Sequence, residues 1–253
     1  MKIRIKFKKY GPMKFIGHLD VMRYFQKVMR RANVDICYSG GFSPHQIMSF
    51  ASPLGVGVTS RGEYVDIEVN STESSAAMTE RLNAVMTEGF AVESWRLLPD
   101  DSKAAMSLVA AADYTAAFRP GYEPKEESIE AWFARAAALF DAPQVLVEKT
   151  TKKGTAQMDL KPLVYEIAVR SGRTEGEEQS GPRLFMRVSA GSAANVKPQQ
   201  VLDAFYASFG EEQPPFALMY QREEVYADLA SEKEREEGTH CFQSLEALGR
   251  EIV

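Results

Sequence analysis

The chain has 253 residues, of which 45% are hydrophobic and 26% are charged, and its formal net charge at pH 7 is −5. This composition is typical of a globular protein with an ample core, and no apolar run approaches the roughly 20 residues of a membrane span. The two cysteines, Cys37 and Cys241, exclude a disulfide framework and indicate a reducing compartment, which we expect to be the cytoplasm.

Positive charge is concentrated at the start of the chain. Residues 1–31 contain ten Lys or Arg and one acid, Asp20, whereas the remaining residues contain 20 basic and 34 acidic side chains. A basic patch on an acidic body can hold a polyanion locally while the rest of the surface repels it. The negative net charge therefore does not exclude a nucleic-acid partner.

The first hundred residues predict the element order β-α-β-β-α-β, which is the signature of a ferredoxin-like fold. Residues 2–10 alternate Lys or Arg with Ile3, Ile5 and Phe7, which is typical of a strand with one buried face and not of a signal peptide. From Leu19 the apolar residues adopt a helical period that continues to about Asn33. The other predicted elements of this half are strands at Asp35–Tyr38, Ile47–Phe50, Glu63–Val69 and Phe90–Leu97, and a helix at 73–87.

The same order of elements recurs after Pro99, although no residue-level repeat links the halves. An alanine-rich stretch at 103–112 is compatible with a helix. Further helices are predicted at Glu126–Phe140 and Pro198–Ser208, and strands at Tyr114–Phe118, Gln144–Glu148, Leu163–Val169, Leu184–Val188 and Ala217–Tyr226. The sequence thus predicts an α+β protein of two tandem ferredoxin-like (β-α-β-β-α-β) units with antiparallel sheets. The expected domains are 1–100 and 101–228, followed by a charged, mobile appendage at 229–253.

Two histidines are candidates for acid–base catalysis. His18 begins the first helix beside many cations, which favour the neutral imidazole that a general base needs. It also falls on the helix face of Met22, Phe25 and Met29, so a core or capping role is the alternative. His45 follows the turn-forming sequence GGFSP, where backbone N–H groups can hold a phosphate, or where the histidine is simply an exposed corner.

The basic segment predicts a nucleic-acid interface, since clustered Lys and Arg commonly neutralise phosphates, although a solvated surface is the alternative. No strand has the aromatic pattern of a classical RRM. A weaker basic group on a predicted hairpin tip comprises Lys149, Lys152, Lys153 and Lys161. The predicted contact residues are Lys6, Lys8, Lys14, Arg23, Lys27, Arg30, Arg31, Ser43, His45 and Arg61.

Other chemistries lack sequence support. The three histidines and two cysteines show no metal-ligand spacing, and there is neither a G-x-S-x-G elbow nor a nucleotide-binding glycine loop. We therefore expect no metal and no other cofactor.

Three runs of sequence resemble the bacterial radical-SAM-associated (radical SAM-linked) family, whose members are encoded beside, or fused to, a radical SAM protein. They are KFIGHLDVMRYFQKVMRRA at 14–32, YSGGFSPHQIMSFASPLGVGVTSRGEYVDIEV at 38–69 and TKKGTAQMDLKPLVYEI at 151–167. The resemblance, which extends over residues 1–225, implies a radical SAM protein as partner and supplies no catalytic residues. This chain cannot itself be that enzyme, because its two cysteines cannot form the three-cysteine motif of a radical SAM cluster.

A looser similarity concerns the fold. Tandem ferredoxin-like units with a histidine opening the first helix are similar to the CRISPR RAMP endoribonucleases, although the link from Phe209 to Pro215 lacks their glycine-rich loop. We therefore expect a non-catalytic RNA-binding adaptor that works with a radical SAM enzyme in tRNA or rRNA modification. The alternatives are a metal-independent endoribonuclease and a protein–protein module of the radical SAM complex.

Overall fold

The computed structural model describes residues 1–151, 154–175, 180–192 and 194–253. The described residues form a mixed α+β structure of two compact units. Unit 1 comprises Met1–Ala110 and Glu224–Val253, and unit 2 comprises Ala111–Glu223. The strands are β1 (Lys2–Lys9), β2 (Met48–Phe50), β3 (Thr59–Glu68), β4 (Phe90–Leu97), β5 (Val109–Phe118), β6 (Leu146–Thr151), β7 (Gly154–Asp159), β8 (Val164–Gly172), β9 (Gly181–Ser189), β10 (Leu218–Asp228) and β11 (Phe242–Ser244). The helices are α1 (His18–Arg31), α2 (Ser75–Asn83), α3 (Ala105–Leu108), α4 (Ile129–Ala138), α5 (Pro198–Ser208) and α6 (Glu232–Glu236).

The sheet of unit 1 is built around β1. This strand pairs antiparallel with β3 on one side and with β4 on the other, so that Ile5 lies opposite both Val65 and Trp95. Strand β2 pairs antiparallel with β3, which gives the spatial order β4-β1-β3-β2. The strict alternation of β1 sends Ile3, Ile5 and its other apolar residues to one face, where they are fully buried.

Helix α1 covers the apolar face of that sheet. Its buried residues Val21, Phe25, Val28 and Met29 follow the helical spacing of the sequence, and the ring of Phe25 lies 4.5 Å from that of Phe7. The helix ends where Asn33 adopts a left-handed conformation (φ +49°), which asparagine tolerates better than most residues. The predicted first helix is therefore confirmed to within two residues at each end.

Unit 2 repeats this spatial order with different strands. Its sheet has the order β10-β5-β9-β8, and β6 and β7 form a separate two-stranded sheet that is inserted before β8. Helices α4 and α5 contribute Phe133 and Leu202 to a core that includes Leu184 of β9. The coarse prediction of an α+β fold with a largely antiparallel sheet is confirmed. The assignment of both units as ferredoxin-like repeats stays a prediction.

The predicted appendage at 229–253 is instead an integral part of unit 1. Strand β11 pairs with β10, and Leu245, which follows β11, is completely buried. The carbonyl of Leu245 accepts a hydrogen bond of 3.0 Å from Arg4, and Arg250 forms a β-bridge with Leu97. The expectation of a mobile tail was wrong because its scattered apolar residues have partners far away in sequence.

Three further expectations need correction. The first unit extends to Ala110, not to residue 100, because the alanine-rich stretch contains one helical turn and then enters β5. The second unit ends at Glu223 within β10, which continues into unit 1. The segment Asp35–Tyr38 makes isolated bridges with Val69 and Gln46 and not a strand.

A stability measurement tests the role of the C-terminal segment. Replacing Leu245 by alanine should lower the free energy of unfolding by about 2–5 kcal/mol, since it leaves a cavity among buried residues. The control is Leu229→Ala, because the side chain of Leu229 is about half exposed. Urea denaturation should show a large loss for the first variant and almost none for the second; equal effects would contradict the packing described here.

Asp228 holds the start of this segment and makes its stability depend on pH. Its carboxylate accepts hydrogen bonds from the backbone N–H groups of Ala230 (3.0 Å) and Cys241 (2.9 Å), and lies 2.8 Å from Nδ1 of His240. Burial alone would raise the pKa of Asp228, but these hydrogen bonds outweigh it and lower the pKa below its usual value of 3.8.

A carboxyl group with a lowered pKa in the folded state stabilises the fold above its usual pKa, and this stabilisation is lost as the pH falls through the folded value. The stability difference between the native protein and Asp228→Asn should therefore be largest at neutral pH and should shrink below about pH 4. Urea unfolding at pH 7, 5 and 3 measures this difference. A difference that stays constant down to pH 3 would show that the carboxylate charge contributes nothing.

Candidate nucleic-acid interface

Several cations of β1 are neutralised within unit 1. The guanidinium of Arg4, with its side chain 1% exposed, makes two hydrogen bonds of 2.8 and 2.9 Å to the carboxylate of Asp66. Lys8 lies 2.6 Å from the carboxylate of Glu93. Ion pairs of this kind satisfy charges that burial would otherwise make costly. The polar face of β1 is therefore engaged with the protein itself.

Lys6 is held by two carboxylates. Its Nζ donates to Glu224 at 2.7 Å and to Glu246 at 3.3 Å, and Glu224 also accepts from the hydroxyl of Tyr64 at 2.5 Å. Burial alone would lower the pKa of Lys6, but the two carboxylates outweigh it and raise the pKa above its usual value. Burial and the neighbouring Glu224 also raise the pKa of Tyr64. Lys6 and Lys8, which the sequence placed in the interface, therefore lie outside the surface proposed below.

The exposed face of α1 carries four further cations of the basic segment. Positions 19, 23 and 27 are spaced by four residues and form one row along the helix. The side chain of Arg23 is 68% exposed and lies 3.6 Å from the carboxylate of Asp20, the one acid of this helix. The exposed residues of the row and its C-terminal end are Leu19, Arg23, Lys27, Arg30 and Arg31.

A short 3-10 turn at Gly11–Phe15 precedes α1 and extends this surface. The Nζ of Lys14 lies 5.3 Å from the ring centre of Phe15, and that ring is 61% exposed. The carbonyl of Lys14 accepts a 2.8 Å hydrogen bond from the N–H of Gly57. An exposed aromatic ring beside a cation is thus fixed at the N-terminal end of the row.

The loop from Ser39 to His45 closes on itself through three hydrogen bonds. The N–H of Ser39 donates to the carbonyl of His45 at 2.8 Å, the N–H of His45 donates to Oγ of Ser39 at 3.1 Å, and Nδ1 of His45 lies 2.9 Å from the same Oγ. Gly41 has φ +97°, which glycine adopts without strain. The loop therefore presents Phe42, which is fully exposed, together with Ser43 at its tip.

The structure joins this loop to α1 through Gln26. The carbonyl oxygen of Gln26 accepts hydrogen bonds from Nε2 of Gln46 at 3.3 Å and from Nε of Arg30 at 3.2 Å. Gln46 directly follows the loop, and its side chain is buried. One backbone oxygen thus places the root of the loop beside the cationic row, although the two are separated by about twenty residues of sequence.

The other predicted site residues lie elsewhere. His18 is half-buried, and its ring packs edge-on against Phe50 with 5.2 Å between ring centres, beside the buried side chain of Glu63. Arg61 is exposed on β3. Of the two histidines, His45 belongs to the exposed loop and His18 contacts the core.

The second basic group is described only in part. Lys152 and Lys153 lie outside the described residues, while Lys161 donates to the carbonyl of Phe140. Among the residues with described positions, no cluster of three or more His, Cys, Asp or Glu side chains could hold a metal ion. None of the described helices is long and apolar enough to cross a membrane.

Sequence reasoning missed two sets of residues. Glu224 and Glu246 neutralise Lys6, but no local pattern connects positions more than two hundred residues apart. Phe15 is an exposed aromatic residue beside Lys14, whereas the tip at Phe42–His45 was expected from the sequence to contact a ligand. The position of Phe15 between Lys14 and the helix start was the signal that could have found it.

A known protein family matches most of the chain, including the residues of this surface. A family model described as an uncharacterized protein conserved in bacteria (DUF2344) matches residues 2–198. The chain belongs to this bacterial family. The DUF2344 match includes α1 and the loop at 39–45, whereas Glu224 and Glu246 lie beyond the matched residues. No curated protein matches the chain.

Two substitutions distinguish the buried cations from the exposed ones. Lys6→Met should lower the free energy of unfolding by about 3 kcal/mol, since it leaves two partly buried carboxylates without their cation. Arg23→Met should change it by less than about 0.5 kcal/mol, because Arg23 is exposed. Urea denaturation at neutral pH measures both; a Lys6→Met variant as stable as Arg23→Met would contradict the ion-pair network.

Proposed function

We propose that unit 1 binds single-stranded RNA through the exposed face of α1, the preceding 3-10 turn and the loop at 39–45. The protein is then a non-catalytic RNA-binding adaptor that presents tRNA or rRNA to a radical SAM modification enzyme. The RNA-binding part is supported by the structure of unit 1. The enzyme partner is supported by the sequence resemblance to radical-SAM-associated proteins.

The observation that carries the proposal is the division between paired and exposed cations. The cations Arg4, Lys6 and Lys8 of β1 have carboxylate partners at 2.6–2.8 Å. The exposed face of α1 retains four cations and a single acid, Asp20. The four cations extend over about 12 Å of the helix axis, and such a row suits successive phosphates of a nucleic-acid backbone better than a single small anion.

The exposed aromatic rings favour a single strand over a duplex. Phe15 is 61% exposed, Tyr38 is 53% exposed and Phe42 is fully exposed. Proteins that bind single-stranded nucleic acid combine a cationic track with aromatic rings on which unpaired bases stack. The bases of an A-form duplex are already stacked on one another, so these rings would have no role there.

The fold is consistent with this function. Both units have the strand order 4-1-3-2 when their sheet strands are numbered along the chain, as in β4-β1-β3-β2 and β10-β5-β9-β8. This order, with one helix in each crossover, supports our proposal that both units are ferredoxin-like. Several RNA-binding modules share that architecture, which supports the function by analogy alone.

One contact favours the endoribonuclease as a second candidate. Nδ1 of His45 lies 2.9 Å from Oγ of Ser39 in an exposed loop, which is the distance expected for a general base and its proton donor. This candidate requires that the protein cleave RNA in the presence of EDTA. The His45→Ala variant should lose this activity, and the His18→Ala variant should keep it. Intact RNA after prolonged incubation would leave the adaptor as the function.

Charge reversal on α1 tests the proposal directly. The triple variant Arg23→Glu, Lys27→Glu and Arg30→Glu should weaken binding of a 12-nucleotide single-stranded RNA at least about 100-fold near 0.1 M salt. The slope of log K against log salt concentration should become shallower by about 2, since each neutralised phosphate contributes about 0.7 in single strands. Fluorescence anisotropy over a salt series measures both quantities.

The charge-matched control reverses three exposed cations elsewhere, Lys125, Lys197 and Lys233. It changes the net charge by the same amount and should leave the salt slope unchanged. Equal losses in the two variants would mean that the RNA responds to overall charge alone, which contradicts a specific surface. The protein–protein module would be favoured instead by two results together. The native protein would bind an acidic protein partner but no RNA, and the α1 triple variant would lose that partner.

A further inference from the structure

A cleft of about 480 Å³ lies within unit 1 beside the proposed RNA surface. Its walls are the loop at 39–45, strands β2 and β3, and the segment 98–104 that leads into α3. The volume lies within the range of small-molecule sites, and a nucleotide fits such a space. His45 belongs both to this cleft and to the exposed loop, so the cleft opens where the loop meets the sheet.

The cleft offers apolar faces on which a flat ring can pack. Ile47 is half-buried and, by the register of β2 and β3, lies on the same face as Glu68 and Ser49, whereas Met48 lies opposite Ile67 and packs against the core. Leu98, at the start of the segment 98–104, adds another apolar residue to the lining of the cleft. Enzymes and binding proteins that take up an extruded base hold it between apolar or aromatic side chains and recognise its hydrogen-bonding edge.

Some polar groups of the cleft are already engaged. Lys2 lies opposite Glu68 in the register of β1 and β3, but its Nζ donates to the carbonyls of Asp100 (2.7 Å) and Ser102 (3.0 Å). Asp66 accepts from Arg4 and from the N–H of Ala105. These groups shape the cleft and have little capacity left for a ligand.

Three other side chains of the cleft have no partner among the described residues: Ser49, Glu68 and Lys103. His45 contributes a fourth group, because its Nδ1 contacts Ser39 while its Nε2 has no protein partner in the described part of the chain. A carboxylate, an ammonium group, a hydroxyl and an imidazole nitrogen thus converge on one space. Polar groups that do not bond one another in such a space are suited to bind a ligand.

We propose that this cleft binds one guanine nucleotide, extruded from the RNA that lies on α1. The proposal rests on the proposed RNA-binding function and names the base that the site recognises. The carboxylate of Glu68 offers two acceptor oxygens, and guanine is the common base that presents two adjacent N–H donors on its Watson–Crick edge. Lys103 and His45 contact the phosphate, and Ile47 packs on the ring.

The carboxylate of Glu68 disfavours the other three bases, because none of them presents two adjacent N–H donors. Adenine and cytosine each present one exocyclic amine beside an acceptor nitrogen, and that acceptor would face a carboxylate oxygen. Uracil presents one N–H between two carbonyl oxygens. A bidentate pair is worth about 1–3 kcal/mol of discrimination, which corresponds to roughly 5-fold to 150-fold in affinity.

Calorimetric titration of the full-length protein with the four nucleoside 5′-monophosphates tests the cleft without RNA. GMP should bind at least about 10-fold more tightly than AMP, CMP or UMP. Glu68→Gln should remove this preference, because an amide turns one acceptor into a donor. Lys103→Ala should weaken GMP and leave guanosine unchanged. The matched control is Glu88→Gln, because Glu88 is exposed and lies outside the cleft.

The outcomes separate the cleft from the RNA surface. GMP no tighter than AMP, or unchanged by Glu68→Gln, would overturn the cleft even if RNA still bound to α1. Binding of N-acetylarginine amide without binding of GMP would also overturn it, since a guanidinium peptide would then be the ligand. Selective GMP binding that persists in the α1 triple variant would support the cleft as a guanine site separate from the RNA surface. Selective GMP binding by a native protein that bound no RNA would overturn the extrusion of that nucleotide from RNA.

Discussion

The positive charges on β1 are the constraint that determines which segments pack on the sheet of unit 1. A strand in the middle of a sheet, with one face in the core, carries Arg4, Lys6 and Lys8 on its other face. Such cations are stable in a covered position only when carboxylates reach them, because an unpaired buried charge is costly. Asp66, Glu93, Glu224 and Glu246 supply those carboxylates at 2.6–3.3 Å.

This requirement explains why the C-terminal segment belongs to unit 1. Glu224 enters with β10 and Glu246 follows β11, and both bond the ammonium group of Lys6. Leu245 is buried next to Glu246, and its carbonyl oxygen accepts a hydrogen bond from Arg4. The segment therefore covers the polar face of the sheet, and the cations of β1 are engaged within unit 1 while those of α1 stay exposed.

The exposed side of unit 1 combines three features that separate elements contribute. The helix supplies a row of cations, the 3-10 turn supplies Phe15, and the loop at 39–45 supplies Phe42 and His45. Gln26 unites the helix and the loop through one carbonyl oxygen that accepts from Gln46 and Arg30. The cleft beside the loop shares His45 with this surface, which is why we propose that one site could hold both a backbone and a base.

The sequence by itself determined the local elements of this protein. Alternation in residues 2–9 and the helical period from Val21 to Met29 depend on neighbours within one or two turns, and β1, α1, β4 and α5 appear close to where they were predicted. The cationic row of α1 follows from the same periodicity. Membership of a bacterial family was also contained in the sequence.

Only the tertiary structure decided which charges remain exposed. Lys6 and Arg23 are both cations in one basic segment, but Lys6 meets Glu224 and Glu246 across more than two hundred residues while Arg23 stays 68% exposed. The cleft around Glu68 likewise depends on residues 98–104 and 39–45 meeting at β3. Such contacts depend on packing between distant segments, whereas the period of a strand or helix depends on covalent neighbours, and this difference is why the elements were predictable and the site was not.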